Sequence, residues 1–577
     1  MPDAEKDHPL LFRFFPGNTV TPIPTLYMKK FSFCTILFFS FIILSAAEKP
    51  LLRAGLITDT HVTPRVQSVN KLRAALNLFK AQKVDVVINL GDVAENFHYE
   101  AYRHYRNTVK AVYPRGIREI FAYANHDVNP GMPDLPRPVT YGMVKKALEI
   151  THDPVDVVVI KGVVFVTLPE SLHDLQAYES HIAAAAAKYP GKPLFVIDHR
   201  PPHNTSYNTL VWCKAGKHEV LKKFPQVINL SGHVHNDIRN ELCLWQGEYT
   251  SIDTGCISGW AGDLEGVIPF GKSSAGVLIM DVFADKVIFH RMDCQTGKVV
   301  AEPWRVPLPH DPQNPPLSFA RRKESSKAPE FPAGSKLKAL FHPQKFNRLY
   351  LRFDAAQPQK DTFKYEIFFK DKISGKVVNR MEIFGDFFRN ETVKKSGHAI
   401  SAGYFDDGRE YIVEVVPFNF FGKRGEGMKT EFKAPAKVKF TTVFECRDPM
   451  KVLKFKSGLA GGEELPVKNG FYQHNVEEAR LLLPAGVWQG KKGTRFRFTV
   501  DMHTKQGDTE KWTLVLRNPK PEVNARARLY TQNGDVGVRR YVIEFTKMAD
   551  EYDYYFLVRE GAAGEVRFDY VKIEKLN

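Results

Sequence analysis

Five short clusters of carboxylate, imidazole and amide side chains punctuate the first half of this 577-residue sequence. They are Asp59-Thr60-His61, Gly91-Asp92, Asn125-His126-Asp127, Asp198-His199 and Gly232-His233-Val234-His235. Carboxylates and neutral imidazoles together suit Mn, Fe or Zn, whereas an all-oxygen set would suit Mg or Ca. One carboxylate has two oxygens and can bridge two cations. A bridged pair about 3.5–4 Å apart can share and acidify a hydroxide and clamp a phosphoryl group during in-line attack. His233 and His235 project to the same side if the chain there is extended. A solitary Asp-x-His or Gly-Asp carries little weight, because such residues are common in turns after strands. The signal lies in the five together.

Each cluster ends an apolar run. Residues 51–58 lead into Asp59, 84–90 into Gly91, 118–123 into Asn125, 195–197 into Asp198 and 227–230 into Ser231. Polar groups collected outside the carboxyl ends of strands form the usual site of a layered α/β domain. Between these runs, residues 69–82 (with Leu72, Leu76 and Phe79 on one face) and 99–112 are expected as helices. Residues 155–166 are expected as one strand, 172–189 as a helix closed by Pro190-Gly191, and 216–224 as a further helix. Later strands are expected at 249–253, 275–283 and 286–291. Such alternation implies sheet layers covered by helices.

The order and spelling of the clusters resemble the calcineurin-like metallophosphoesterase superfamily, whose pattern is D-x-H, G-D, G-N-H-[DE], a lone His, then G-H-x-H. The resemblance covers residues 50–310 and departs from the pattern at Ala124, where the family usually has Gly. It implies an α/β/β/α four-layer sandwich and a centre of two divalent or mixed-valence transition metal ions (Mn, Fe or Zn). Asp59, His61, Asp92 and His235 would hold the first ion. Asp92, Asn125, His199 and His233 would hold the second, with Asp92 shared. His126 would be a noncoordinating imidazole that steadies phosphate oxygens and protonates the leaving oxygen. Asp127 would accept from its other ring nitrogen and fix its tautomer. In the purple acid phosphatases of this superfamily a Tyr stands three residues after the shared Asp. Glu95 stands there in this chain, so no tyrosinate–iron(III) centre is expected. His203, Asn96 and His98 are weaker candidates for substrate contact, and Trp260 for a pocket wall; for each, an ordinary structural role competes.

The whole chain is too long for one hydrophobic core and reads as multidomain. Its formal charge is +16, and the segment through Ala47 holds four basic and three acidic residues, so its removal leaves +15. A basic exterior favours anionic substrates, but there is no dense Lys/Arg block and no groove pattern of basic and aromatic residues, so no specific nucleic-acid partner is expected. Met28-Lys29-Lys30, the apolar run 31–44 and Ser45-Ala46-Ala47 have the layout of a signal peptide at 28–47. Residues 1–27 read as an upstream extension. The run is too short for a good membrane span, so an exported protein, periplasmic or extracellular, with no stable span after cleavage is expected. Cys34 falls in that segment. Cys213, Cys243, Cys256, Cys294 and Cys446 leave an odd number, and one or two disulfides after export are compatible with their spacing.

The catalytic domain is expected over 48–312, followed by a Pro-rich linker at 313–332. From 333 the pattern turns to strands, with runs at 349–353, 363–369 and 376–383. Residues 411–422 resemble the fibronectin type III signature Y-x-V-x-V-x-A-x-N-x-x-G, with Pro417 in the Ala position. The resemblance implies a β-sandwich over 333–437, with Tyr411 at the tyrosine corner and Val413 and Val415 facing the core. Residues 438–577 are expected as a second β-sandwich module, similar in layout to jelly-roll carbohydrate-binding domains. Trp488 and Trp512 are its available sugar-stacking residues, with core burial favoured for both. The function expected is an exported metal-dependent phosphoesterase that hydrolyses phosphate mono- or diesters by a bimetal-activated hydroxide. Its substrate would be a small phosphoester or a phosphorylated glycan or nucleotide, and the C-terminal modules would contact carbohydrate or a cell surface. The alternative is a glycan- or cell-surface-binding protein with a vestigial phosphoesterase domain.

Overall fold

The computed structural model describes residues 48–576 apart from 64, 96–98, 129–138, 208, 210–212, 214, 259–274, 343–347, 390–395, 406, 437–439, 458–461, 475–477, 485, 507–510, 518–525, 534–537, 548–554 and 560–563. Met1–Glu48 and Lys49–Asn577 are two separate units, and the account below concerns the second. The expected signal peptide, Asn96, His98 and Trp260 therefore lie outside the described residues, as does the side chain of Trp512. No helix among the described residues is long and apolar enough to cross a membrane.

The first strand, β1 (Leu52–Ile57), is followed by a 3-10 turn at Val66–Val69 and by α1 (Asn70–Ala81), which buries Leu72, Ala75, Leu76 and Phe79 at helical spacing. Then come β2 (Val86–Asn89), α2 (Tyr99–Val112), β3 (Arg118–Phe121) and α3 (Tyr141–Leu148), the last capped by the Thr140 hydroxyl. The stretch 155–166 is two strands, not the expected one. β4 (Asp156–Ile160) and β5 (Val163–Thr167) form a hairpin because Lys161 and Gly162 both turn through the left-handed region. Next are α4 (Leu175–Lys188), capped by Asp174, then β6 (Leu194–Ile197), α5 (Ala215–Leu221) and β7 (Val227–Ser231). β8 (Leu244–Gln246), β9 (Thr250–Asp253), β10 (Gly276–Val282), β11 (Lys286–Asp293) and β12 (Lys298–Pro307) complete this part.

These strands make two six-stranded sheets, in the orders β12-β11-β10-β1-β2-β3 and β4-β5-β6-β7-β9-β8. Within the first, β1, β2 and β3 run parallel; within the second, β5, β6, β7 and β9 do. One apolar cluster contains residues of both sheets, including Leu56, Ile88 and Leu278 with Phe165, Ile197 and Ile252. A second joins α1, α2 and α3 to Ile57, Val87 and Ile279, and a third joins α4 and α5 to Val164, Val196 and Val227. Burying each such side chain contributes about 1.5–3 kcal/mol. The packing fixes both sheets, and with them the carboxyl ends of their parallel strands. β12 was not among the expected strands, because its prolines read as the irregular edge of the catalytic domain. Pro303 and Pro307 lie in the edge strand of the sheet, where a missing N–H is tolerated.

The Pro-rich stretch after β12 carries α6 (Phe319–Ser325), capped by the Ser318 hydroxyl. Beyond it, β13 (Leu337–His342), β14 (Arg348–Asp354), β15 (Thr362–Asp371), β16 (Val377–Phe384), β17 (Gly397–Tyr404), β18 (Glu410–Asn419) and β19 (Met428–Lys433) form a three-stranded and a four-stranded sheet. A common core holds residues of both sheets, with Val413 and Val415 fully buried in it. The Tyr411 hydroxyl goes to the Asp407 carboxylate four residues upstream rather than to backbone. The remaining strands, from Thr441–Cys446 to Gly564–Leu576, form a six-stranded and a five-stranded sheet. Trp488 is 1% exposed in that module's core, so it offers no face to a sugar. No disulfide joins the described cysteines.

Candidate metal centre

The loops after β1 and β2 continue the pairing of their strands. Asp59 N–H donates to the Gly91 carbonyl (3.0 Å), His61 N–H to Asp92 O (3.0 Å), Val62 N–H to Val93 O (2.9 Å) and Glu95 N–H to Val62 O (2.9 Å). Asp59, His61, Asp92, His233 and His235 all have positive φ, between 42° and 70°. Such backbone costs of the order of 1–3 kcal/mol per residue and persists where the surroundings over-determine it. Here it turns five side chains off their strand ends toward one another. Gly232 is required by close approach, since a Cβ there would stand 2.0 Å from Thr58 Oγ1 and 2.6 Å from Asp59 Oδ2. Ala124, the one departure from the expected spelling, is absent from the left-handed positions and so carries its methyl without backbone strain. That methyl lies where a Cβ on Gly91 would have to go, 2.5 Å away.

In Asp59, Asp92 and His199 one polar atom is committed and the other faces the centre. Asp59 Oδ2 accepts from the Thr58 hydroxyl (2.6 Å) and His233 N–H (3.0 Å), leaving Oδ1 3.0 Å from His235 Nε2 and 3.7 Å from His61 Nε2. Asp92 Oδ1 accepts from His126 N–H (2.9 Å), leaving Oδ2 3.2 Å from His199 Nε2 and 3.8 Å from His61 Nε2. His199 Nδ1 donates to the Leu90 carbonyl (2.7 Å), which turns its Nε2 toward Asp92; His233 Nδ1 is 3.2 Å from that Nε2. His61 Nε2 and His235 Nε2 stand 3.1 Å apart. The donor atoms of Asp59, His61, Asp92 and His235 all lie within 4.8 Å of one another, and so do those of Asp92, His199 and His233. Asp92 is common to both sets.

These residues fit a pair of transition ions. Buried Asn125 Oδ1 has no hydrogen-bond partner among the described residues, and buried polar atoms are ordinarily satisfied. Imidazole and carboxylate together are the donor chemistry of Mn, Fe and Zn. The two buried carboxylates also draw positive charge onto the imidazoles around them. Burial opposes charge on His61, but hydrogen bonds to Asp59 and Glu95 outweigh it and lift the ring to about 10. Burial likewise opposes charge on His199, and Asp92 overrides it, again to about 10. Burial alone would raise Asp59, yet His235 and His61 hold it well below the usual carboxylate range. Two carboxylates in a dry pocket demand positive charge.

Around this core the structure departs from the sequence expectation at Asp127. That carboxylate is 1% exposed and accepts from the backbone N–H groups of Val93 (2.9 Å) and Ala94 (3.4 Å), while its carbonyl accepts from the Tyr102 hydroxyl. It makes no bond to the His126 ring, because the chain has turned it back under the Asp92 loop. The carboxylate facing His126 is Glu95, whose Oε1 is 3.9 Å from His126 Nδ1. Glu170, at the end of β5, was also missed. Its Oε2 accepts from Asn125 N–H (2.8 Å), and its Oε1 pairs with the Arg200 guanidinium beside His199. Glu170 follows the carboxyl end of the apolar strand β5, so the rule that found the five clusters could have found it; Asp253 ends β9, whose Thr-Ser-Ile gives no such signal. Asp253 accepts from Asn236 (2.7 Å) and Ser206 (2.9 Å) and steadies the loop after His235. Buried Lys217 pairs with Asp198 at 2.5 Å, just ahead of His199. His203 is half-buried in the loop beyond His199.

Residues 52–237 match the family model described as Calcineurin-like phosphoesterase, and this stretch carries a phosphoesterase domain of that kind. No curated protein matches the chain. Among solved structures, a predicted phosphoesterase from Streptococcus pneumoniae TIGR4 is 12% identical over 44% of this chain and 97% of its own, with a TM-score of 0.22. The purple acid phosphatase PPD1 of yellow lupin (Lupinus luteus) is 12% identical over 44% of this chain and 53% of its own, with a TM-score of 0.32. The FN1–FN3 domains of chicken CNTN1 are 9% identical over 52% of this chain and 75% of that one, with a TM-score of 0.14. Likenesses at these TM-scores carry no argument. The family match and the donor cluster define a metal-dependent phosphoesterase domain at the general level.

Proposed function

We propose that the chain is an exported hydrolase of phosphate mono- or diesters that works with two transition ions. The observation that carries this reading is the pair of donor sets sharing Asp92, set at the carboxyl ends of parallel strands from both sheets. Asp59, His61, Asp92 and His235 would hold one ion, and Asp92, Asn125, His199 and His233 the other. When bound, such a pair acidifies water and neutralises charge on a phosphoryl group. His126 is free of that duty in this reading. Its side chain is 31% exposed, so it can meet a substrate and give its proton to the leaving oxygen as the phosphorus–oxygen bond breaks. The Arg200 guanidinium, oriented by Glu170, adds positive charge beside His199.

Helices on the outer faces of both sheets and a shared core between them support an α/β/β/α four-layer arrangement for this domain. The paired sheets of 333–437 and 438–577 support two β-sandwich modules, the first of fibronectin type III kind, the second jelly-roll-like with a role in glycan or cell-surface contact. The reading of a vestigial domain on a binding protein is disfavoured by the full complement of ligand side chains. Export rests on the leader-like sequence at 28–47, and secreted material should then begin near Glu48. The deciding experiment is elemental analysis of the purified chain together with turnover of a chromogenic monoester and diester. Two ions per chain with hydrolysis support the reading; no metal uptake after loading with Mn, Fe or Zn would end it.

A further inference from the structure

We propose that a basic cleft in the C-terminal module binds an acidic unit of a polysaccharide, a sugar carrying carboxylate or sulfate. The proposal gives a site and a ligand class to the glycan contact read above for this module, and it rests on that reading. The cleft measures about 490 Å³ and is lined by residues 490–495, Lys575 and Leu576. Small-molecule sites commonly hold about 300–1,000 Å³. The strand Arg495–Gln506 and the closing strand Gly564–Leu576 run antiparallel, with Arg495 opposite Leu576 and Phe496 opposite Lys575. That register brings Lys491 and Lys492, just ahead of the first strand, to the end where Lys575 stands. Thr494 N–H donates to the Lys491 carbonyl (3.0 Å), Gly493 N–H to the Lys547 carbonyl and Lys547 N–H to the Thr494 carbonyl (both 2.8 Å). Gly493 turns the chain at φ 93°, where a side chain would be strained. The loop is thereby fixed.

Several cations at this end lack a carboxylate. Among the described residues none pairs with the ammonium of Lys491 or Lys575, whereas Lys572 on the same strand is held by Glu574 (2.7 Å). Lys547 is 4% exposed, and its Nζ donates to the Trp488 carbonyl (2.8 Å) with no carboxylate beside it. Glu544 accepts from both Arg495 (3.0 Å) and Arg497 (2.6 Å). Buried charges are ordinarily paired, and an anion seated on this loop would offset the excess. A polysaccharide suits the cleft better than other polyanions do. No aromatic residue lines it, so nucleic-acid bases have no platform to stack on. A concave site does not seat a flat lipid surface. Lysine ammonium groups, the Thr494 hydroxyl and glycine backbone match a ring that bears hydroxyls and an acid group.

The test uses the full chain and measures Kd by calorimetry for polygalacturonate, dextran sulfate and neutral dextran. The chains compared are wild type, Lys491→Ala/Lys575→Ala, Asp92→Ala and Lys188→Ala/Lys192→Ala, the last removing two exposed lysines from the catalytic domain. Wild type should bind an acidic polymer and not dextran, and the tighter of the two polymers names the acid group. Lys491→Ala/Lys575→Ala should weaken that binding about tenfold, as expected for losing two partly exposed ion pairs. The other two variants should match wild type. Equal losses in both lysine pairs would make the attraction a property of the whole basic surface and overturn the proposal. So would tighter binding of single-stranded DNA, or a loss confined to Asp92→Ala, which would put the acid group at the metal centre. Polysaccharide binding that includes dextran and is indifferent to the cleft lysines ends this proposal and keeps the glycan reading. A chain that binds none of the three ends both.

Discussion

Asn236 donates its side-chain amide to the Tyr207 carbonyl at 3.0 Å, and the Tyr207 ring crosses to the next module to meet Phe363 edge-on with centroids 5.3 Å apart. Asn236 is the residue after His235, and its amide also holds Ser206 and Asp253. Tyr207 packs with Leu242 against Phe363, Phe384, Phe387, Phe388, Phe420 and Phe421. Because no expected ligand lies beyond His235, a fragment ending near residue 330 is expected from sequence to keep its activity. The seam changes that expectation. Tyr207→Ala should lower stability by about 1–2 kcal/mol, the worth of an edge-to-face aromatic contact and part of its burial. The short fragment should show the same loss and a raised KM for a chromogenic diester. Thermal unfolding and steady-state kinetics check both; unchanged values in both would make the seam a passive contact.

Removal of the metals should abolish hydrolysis, and re-addition of Mn or Zn should restore it. Replacement of Asp92 by Ala should lose both ions, since this carboxylate belongs to both donor sets. Metal content by elemental analysis is the measurement, and one ion retained would show that the sets are independent.

His126→Ala should keep both ions and lower turnover by about 10²–10⁴-fold on a substrate with an alkoxide leaving group. With nitrophenolate, which departs without a proton, the loss should be smaller. Equal losses on the two substrates would leave His126 with charge stabilisation only.

Gly232→Ala should damage the centre more than the fold. Its methyl would collide with Thr58 Oγ1 and with the Asp59 oxygen that receives His233 N–H. The expected result is weakened metal binding by chelator competition, with far-ultraviolet circular dichroism close to wild type.

At the junction of domain and linker, Glu241 pairs with Arg291 (2.6 Å) and Arg322 (2.7 Å), and Arg322 stacks on Phe421 (4.8 Å). Burial opposes the Glu241 charge, but Arg291 and Arg322 prevail and depress its pKa. A carboxyl depressed on folding contributes stability that is present above its unfolded value, about 4.3, and is lost as pH falls through the folded value. Glu241→Gln should therefore lower Tm at pH 7, and the gap from wild type should close as pH falls below about 4. A gap that persists in acid would assign the effect to packing.

The sequence by itself determined the polar clusters and the strands that present them, because an apolar run that ends in Asp, Asn or His leaves those side chains outside the sheet. It also showed the change to β-strand structure after 333. Only tertiary structure decided which side chains converge. Left-handed backbone at Asp59, His61, Asp92, His233 and His235 is held by hydrogen bonds between loops far apart in sequence, and no local pattern encodes a turn that a distant loop enforces. For the same reason Glu95, three residues from Asp92, faces His126, while adjacent Asp127 is turned under the Asp92 loop. β12 and α6 were hidden because proline composition reports a weak helix or central strand and says nothing of an edge that a neighbouring strand completes. The aromatic seam was likewise unreadable, since phenylalanines spaced for one module's core and those reserved for the next module look alike until both surfaces exist.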